Sequence, residues 1–307
     1  MKLLISGATG LVGGELLRVC QEQGIPVHYL TTSRDKIRND ENVKGFYWNP
    51  RNGEIDLSCF DGVTTIINLA GASVAKRWTA SYKEEIASSR VDSLKTLRQG
   101  VEKTGKEQIT ALVSASAIGV YPHSFTEYYT ESTEEQDSGF LGRVVANWEE
   151  EALKFESLGI KTALVRIGLV LSEKGGALPQ IVKPIKNYVG AALGSGEQWQ
   201  SWIHIEDLAR IFMFLADQEF SGIFNAVAPN PVTNKRLTRE AAKVFKRPLW
   251  LPNVPQFVMK LMLGEMSTIL FASQRVSSQK IEKHGFNFHY QNICRALEDL
   301  YHKWDDQ

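Results

Sequence analysis

The chain has 307 residues, of which 43% are apolar and 23% charged, and its 35 lysines and arginines are matched by 35 aspartates and glutamates. That length supports a large core, and a balanced charge removes the electrostatic steering expected of a nucleic-acid or anionic-membrane binder. Cys20, Cys59 and Cys294 are too widely spaced for a disulfide framework or a CxxC site, which points to a reducing cytoplasm.

Taken in order, the segments alternate between strand-length apolar runs and longer stretches of helical period, the pattern of parallel strands joined by crossover helices. The N-terminal KLLIS (2–6) runs directly into a glycine turn and reads as a first strand, not as the apolar core of a signal peptide. VHYLTT (27–32), TTIINLA (64–70), ITALVSAS (109–116) and TALVRIG (162–168) are the following strands. Helical spacing covers 11–22, 82–103 and 140–158, the last with Leu141, Val144, Val145, Trp148, Ala152 and Phe155 on one face. After residue 168 glycine and proline become denser and a new unit begins, but 202–217 and 222–228 resume a strand, helix and strand. From Pro229 onward the chain is mostly helical, with helices expected over 237–245 and 254–263. The apolar stretch 257–271 is broken by Lys260 and Glu265 and falls short of the ~20 residues that cross a bilayer. Two intertwined lobes are therefore expected: 1–168 with about 201–228, and about 169–200 with 229–307.

Gly7, Gly10 and Gly13 form G-A-T-G-L-V-G between the first strand and the first helix. In that setting one glycine permits the tight turn, one lets backbone approach a pyrophosphate, and one lets helix and strand pack closely. The helix N-terminus then offers its positive end to the phosphates. At the end of the second strand, where an acidic residue would hold the ribose hydroxyl of NAD, stand Ser33 and Arg34, which suit the 2′-phosphate of NADP. Asp35 follows in the loop. NADP is the expected cofactor.

G-A-T-G-L-V-G at 7–13, N-L-A-G at 68–71 and S-A-S-A-I-G-V-Y at 114–121 resemble the extended short-chain dehydrogenase/reductase superfamily, which includes nucleotide-sugar epimerases. K-R-W-T (76–79), S-R-V (89–91), W-E (148–149), G-S-G-E-Q-W-Q-S-W-I-H-I-E-D-L (194–208), P-V-T-N-K (231–235), L-G-E-M (263–266) and S-Q-R-V (273–276) are similar to its atypical "epimerase family" subgroup, which carries its own small C-terminal domain. The resemblance implies a doubly wound parallel Rossmann sheet of the α/β class with a smaller, mostly helical C-terminal lobe. It also implies that Thr9, Leu11 and Val12 present backbone to the pyrophosphate, and that Leu69, Ala70 and Gly71 line the strand edge beside adenosine and ribose. Glu85 and Arg90 would face the cofactor from the second helix, and Val165 would touch the nicotinamide side; a helix surface and a core strand are the alternative readings.

Hydride-transferring members of the superfamily use a Tyr-x-x-x-Lys pair in which lysine lowers the tyrosine pKa and tyrosine passes a proton. Here the corresponding helix begins Phe140-Leu-Gly-Arg-Val144, or Leu141-Gly-Arg-Val-Val145 one residue on, and neither register supplies a phenol or an amine. Ser116 and Tyr121 are the candidate catalytic residues, against a strand-end hydroxyl and a packed loop aromatic. Arg77 and Trp78 are candidates for an anionic or aromatic group, Met259, Met262 and Met266 for an adaptable apolar wall, and Trp199, Gln200 and Trp202 for a ring platform. His204 reads as structural beside a helix start capped by Glu206 or Asp207, and His284, His289 and Cys294 lack zinc spacing. No metal is expected. The expectation is an NADP-dependent oxidoreductase or epimerase-like enzyme acting on a small carbonyl or sugar-like substrate. A non-catalytic NADP(H) sensor is the alternative from another class, and a structural interaction protein a third. The expected partners are a small-molecule substrate and at most a second copy of the chain, with neither nucleic acid nor membrane.

Overall fold

A computed structural model describes residues 1–105 and 108–302. Seven parallel strands, β1 (Leu3–Ser6), β2 (Val27–Thr31), β3 (Val43–Asn49), β4 (Thr65–Asn68), β5 (Ala111–Ala117), β6 (Lys161–Ile167) and β7 (Gly222–Ala226), lie in the order β7-β6-β5-β4-β1-β2-β3. The short pieces Asn39–Asp40 and Glu54–Ile55 pair antiparallel with β3 at one edge. The central strands are buried and carry apolar middles (Leu3–Ile5, Ile66–Ile67, Ala163–Val165) with their polar residues toward the ends, as a sheet covered by crossover helices requires. The fold is a doubly wound parallel α/β sheet, as the resemblance implied.

Among the described residues ten α-helices follow in chain order: α1 (Leu11–Glu22), α2 (Ala80–Thr104), α3 (Phe140–Leu153), α4 (Leu178–Lys186), α5 (Ile205–Asp217), α6 (Asn234–Val244), α7 (Gln256–Leu263), α8 (Thr268–Phe271), α9 (Gln279–Lys283) and α10 (Ile293–His302). The stretch read as a helix over 140–158 ends as α-helix at Leu153 and tightens into a 3-10 turn over Lys154–Leu158. Thr79 caps α2 by accepting from the Tyr82 amide at 3.2 Å. α1 and α5 share one face of the sheet, where Leu16, Cys20, Ile211, Phe212 and Leu215 are fully buried. Each such side chain contributes about 1.5–3 kcal/mol by leaving water.

The sequence reading lacks β3. Its run V-K-G-F-Y-W-N is interrupted by Gly45, and only the tertiary structure shows why: a Cβ there would come within 2.6 Å of the Tyr29 ring on β2. A second core, built from α4, α6, α10, Leu171 and Trp202, packs beside the sheet. Trp202 is fully buried with its indole N–H donating to the Asn230 carbonyl, so it is core and not a ring platform. Division of the chain into lobes is blurred by Ile281, Phe286 and Phe288, which belong to the sheet core; residues 303–307 of the expected second lobe lie outside the described residues. Among the described residues, no helix is long and apolar enough to cross a membrane.

Candidate functional site

The strand order reverses between β1 and β4, and the chain leaves both at the same edge because Ser6 pairs with Asn68. Ligands of open α/β sheets bind in this crevice. Beneath it, a buried polar ladder ties three strand ends together: the Ser6 hydroxyl donates to Asn68 Oδ1 at 2.6 Å, and Asn68 Nδ2 donates to Ser114 Oγ at 3.3 Å. Ser6 did not stand out in the sequence, and Asn68 only as the first residue of N-L-A-G, since strand-end polar residues have no period of their own.

Gly7 adopts φ +74°, and a Cβ there would lie 2.7 Å from the Leu69 carbonyl carbon. At Gly13 a Cβ would stand 2.3 Å from Gly7 O and 2.6 Å from Ala8 Cα. The turn, the Leu69–Ala70 backbone and α1 are therefore in closest approach, which only glycine allows at these two positions. Gly10 precedes α1 with no capping side chain, and no acidic residue occupies the first turn, so the positive helix end is left for an external anion. Thr9 and Gly10 are exposed, while Leu11 and Val12 are half-buried against the second core.

A second group of residues lies one strand over. Ser6 pairs with Leu30 across β1 and β2, which brings Thr31 to Arg34 out at the same edge as the glycine turn. Ser33 precedes a single 3-10 turn (Arg34–Lys36), its amide donating to Thr31 Oγ1 at 3.2 Å. Arg34 is exposed, with its guanidinium 4.1 Å above the Tyr47 ring centre. This cation–π contact orients the guanidinium fork. Tyr47 was missed because it belongs to β3; its register partner is Thr31.

On the other side, Leu69 and Ala70 are half-buried and Gly71 exposed. Arg90 reaches back from α2, donating to Ile86 O at 2.7 Å and Ala72 O at 3.2 Å, and a Cβ on Gly71 would sit 3.2 Å from its Cζ. It lies over the Trp148 ring, and burial draws its pKa down to about 10, so it stays charged at neutral pH. Glu85 is exposed on α2 and makes no side-chain hydrogen bond or ion pair among the described residues. Val165 is fully buried in mid-strand, opposite Ala115 and Phe224, and the structure keeps it in the core, away from the crevice.

The candidate catalytic hydroxyls occupy a closed network. Ser116 Oγ donates to Glu149 Oε1 at 2.5 Å, and Arg166 grips both Glu149 oxygens at 2.8 Å. Arg166 also lies 5.0 Å from the Tyr121 ring centre, and the Tyr121 hydroxyl donates to Asn225 Oδ1 at 2.8 Å. Burial by itself would lower the Arg166 pKa, but hydrogen bonding and charge pairing with Glu149 outweigh it and raise the value; burial pushes the Tyr121 phenol up. Ser116 and Tyr121 are 2% and 1% exposed. Both hydroxyls thus face partners inside the protein, the geometry of the alternative readings, a strand-end hydroxyl and a packed aromatic.

At the mouth, two motifs that were separate in sequence meet. Lys83 pairs with Glu265 and stands 5.3 Å over the half-buried Phe140 ring, which Trp78 packs edge-on at 5.1 Å. Arg77 borders Gly264. Val144, where the lysine of the missing pair would stand, is 5% exposed. Met259 and Met266 are half-buried and Met262 is 65% exposed, so they do not form one wall. Trp199 donates to Phe125 O, and Gln200 pairs through its backbone with Val232. His204, not Glu206 or Asp207, caps α5 by accepting from the Glu206 amide; its ring stacks on Tyr290 at 3.7 Å. Asp207 instead accepts from the amides of His289 and Tyr290. His284, His289 and Cys294 turn to Lys280 O, Glu206 and Glu240 respectively.

The crevice, the glycine cradle and the helix end together define a dinucleotide-binding α/β protein. Residues 3–226 match the NAD dependent epimerase/dehydratase family, and the chain belongs to it; residues 254–300 match a domain of unknown function, DUF1731. An epimerase family protein of Staphylococcus aureus (strain NCTC 8325 / PS 47) is 38% identical over 300 residues, spanning 97% of this chain and 98% of its own. The crystal structure of a human epimerase family protein with NADPH superposes with a TM-score of 0.83 at 23% identity, over 98% of this chain and 99% of that one. A nucleoside-diphosphate sugar epimerase from Corynebacterium glutamicum gives 0.78 at 30% identity, over 98% of this chain and 58% of the longer relative.

Proposed function

We propose that the protein is an NADP(H)-dependent oxidoreductase or epimerase-like enzyme for a small carbonyl or sugar-like substrate, working without the tyrosine and lysine of its superfamily. The observation that carries the reading is Arg34: an exposed guanidinium braced on Tyr47 at the edge where the glycine turn leaves β1. A 2′-phosphate fits that fork, whereas a bare ribose hydroxyl gives it no charge to pair. Gly7, Gly10 and the start of α1 would hold the pyrophosphate, Leu69 to Gly71 the ribose edge, and Arg90 would brace that edge. The bound nicotinamide supplies hydride exchange. At the mouth, Lys83 stands over the Phe140 ring and is a donor for a substrate oxygen once released from Glu265.

A second reading, a dinucleotide sensor without turnover, is favoured by the enclosure of Ser116 and Tyr121. Calorimetric titration with NADPH, NADP⁺, NADH and NAD⁺ tests the cofactor. Arg34→Ala should weaken NADPH by about 1.5–3 kcal/mol, the worth of hydrogen bonds to a charged group, and leave NADH little changed. Equal weakening of both would refute the phosphate clamp. A carbonyl panel followed by NADPH absorbance then separates enzyme from sensor: oxidation of NADPH by any member supports the first, and silence across the panel the second.

A further inference from the structure

Residues 234–247 carry Lys235, Arg236, Arg239, Lys243, Lys246 and Arg247 against the single carboxylate Glu240, in a chain whose net charge is zero. Four of these cations, Lys235, Arg239, Lys243 and Arg247, recur every fourth residue and line one cavity of about 310 Å³. Ala191, Ala192, Ala242, Leu249, Leu251 and Asn253 complete the lining, which apart from Asn253 is apolar. None of its residues belongs to the glycine cradle or to the Arg34 corner.

Two features distinguish this cavity from an ordinary basic helix face. Lys243 is paired with Glu240, but Lys235, Arg239 and Arg247 have no carboxylate partner among the described residues. The Arg247 guanidinium is pinned 4.4 Å over the Tyr188 ring, and its Nε is shielded from water with no hydrogen-bond acceptor. The backbone at Lys235 is anchored as well, its amide donating to Gly196 O at 2.8 Å.

We infer that this cavity binds a phosphorylated small molecule bearing at least two phosphate charges, with Arg239, Arg247 and Lys235 gripping the phosphates and the alanine and leucine wall receiving the rest. The planar arginine forks match phosphate oxygens, and converging cations in a concave site reinforce one another. The volume is at the lower end of the range of small-molecule sites. The inference does not depend on the identity of the dinucleotide.

The test is calorimetric titration of the full chain with inorganic pyrophosphate, with and without saturating NADPH, repeated on Arg239→Gln, Lys235→Gln and Arg34→Ala. Positions 235 and 239 are exposed, so these variants should melt as the parent does. Pyrophosphate should bind in the presence of NADPH, about tenfold or more weakly to Arg239→Gln and Lys235→Gln, and unchanged to Arg34→Ala. Three results would overturn the inference. The first is no binding by the parent chain, and the second is binding abolished by NADPH or by Arg34→Ala alone, which would place the anion in the dinucleotide cradle. The third is binding of a duplex DNA probe with none of pyrophosphate, which would make the stripe a nucleic-acid surface.

Discussion

Replacing Glu149 with glutamine should destabilise the fold while leaving the dinucleotide cradle intact. The Glu149 side chain is 9% exposed and accepts from Ser116 and, through both oxygens, from Arg166, whose own side chain is 5% exposed. Removing one member of such a pair strands the other charge in the interior, at a cost of about 3–5 kcal/mol. For a chain of this size about 2 °C of melting temperature corresponds to each kcal/mol, so a fall of roughly 6–10 °C is expected by differential scanning calorimetry. Removing both charges together, as Glu149→Leu with Arg166→Met, should recover most of the loss, because two well-packed apolar groups avoid the desolvation that the pair bears. Ser116→Ala should cost only about 1 kcal/mol, since Arg166 keeps its partner. If Glu149→Gln melted within about 2 °C of the parent, the network would not be the buried structural unit described. If Ser116→Ala kept full stability yet abolished turnover, the enclosure of Ser116 would have been misread.

Gly13→Ala places a methyl 2.3 Å from Gly7 O, and backbone on both sides cannot yield cheaply. About 1–3 kcal/mol of destabilisation and loss of NADPH binding in titration are expected, whereas Gly14→Ala, which meets nothing within 4 Å, should retain both. His28, buried beside the Cys59 carbonyl, has its pKa held below the ordinary 6.5, by desolvation first and by Lys2 and Lys44 after it. The unfolded chain therefore binds the extra proton more readily, so this contribution to stability is complete above about pH 6.5 and is lost as pH falls below it. Melting curves from pH 7.5 down to 5.5 should show that decline, and His28→Gln should flatten it; an unchanged slope would assign the decline elsewhere.

The glycine cradle and the class of fold were legible in G-A-T-G-L-V-G and the alternating segments because both rest on local physics. A tight turn needs glycine wherever it occurs, and strand and helix periods are written in neighbouring residues. Arg34 could be singled out by its place after β2, but its brace could not, since Tyr47 comes from a strand whose pattern Gly45 interrupts. Ser116, Glu149, Arg166, Tyr121 and Asn225 come from distant parts of the chain, and the motif that marked Ser116 and Tyr121 carried no sign of the partners that enclose them. Trp202 looked like a platform and is core for the same reason. The basic stripe of α6 was present in the sequence as a spacing, yet it became a cavity only when residues 188–192 and 249–253 closed its other wall. Local sterics and periodicity determined the sheet, its crevice and the cradle. Which side chains line a cavity and which are sealed beneath it was decided by long-range packing.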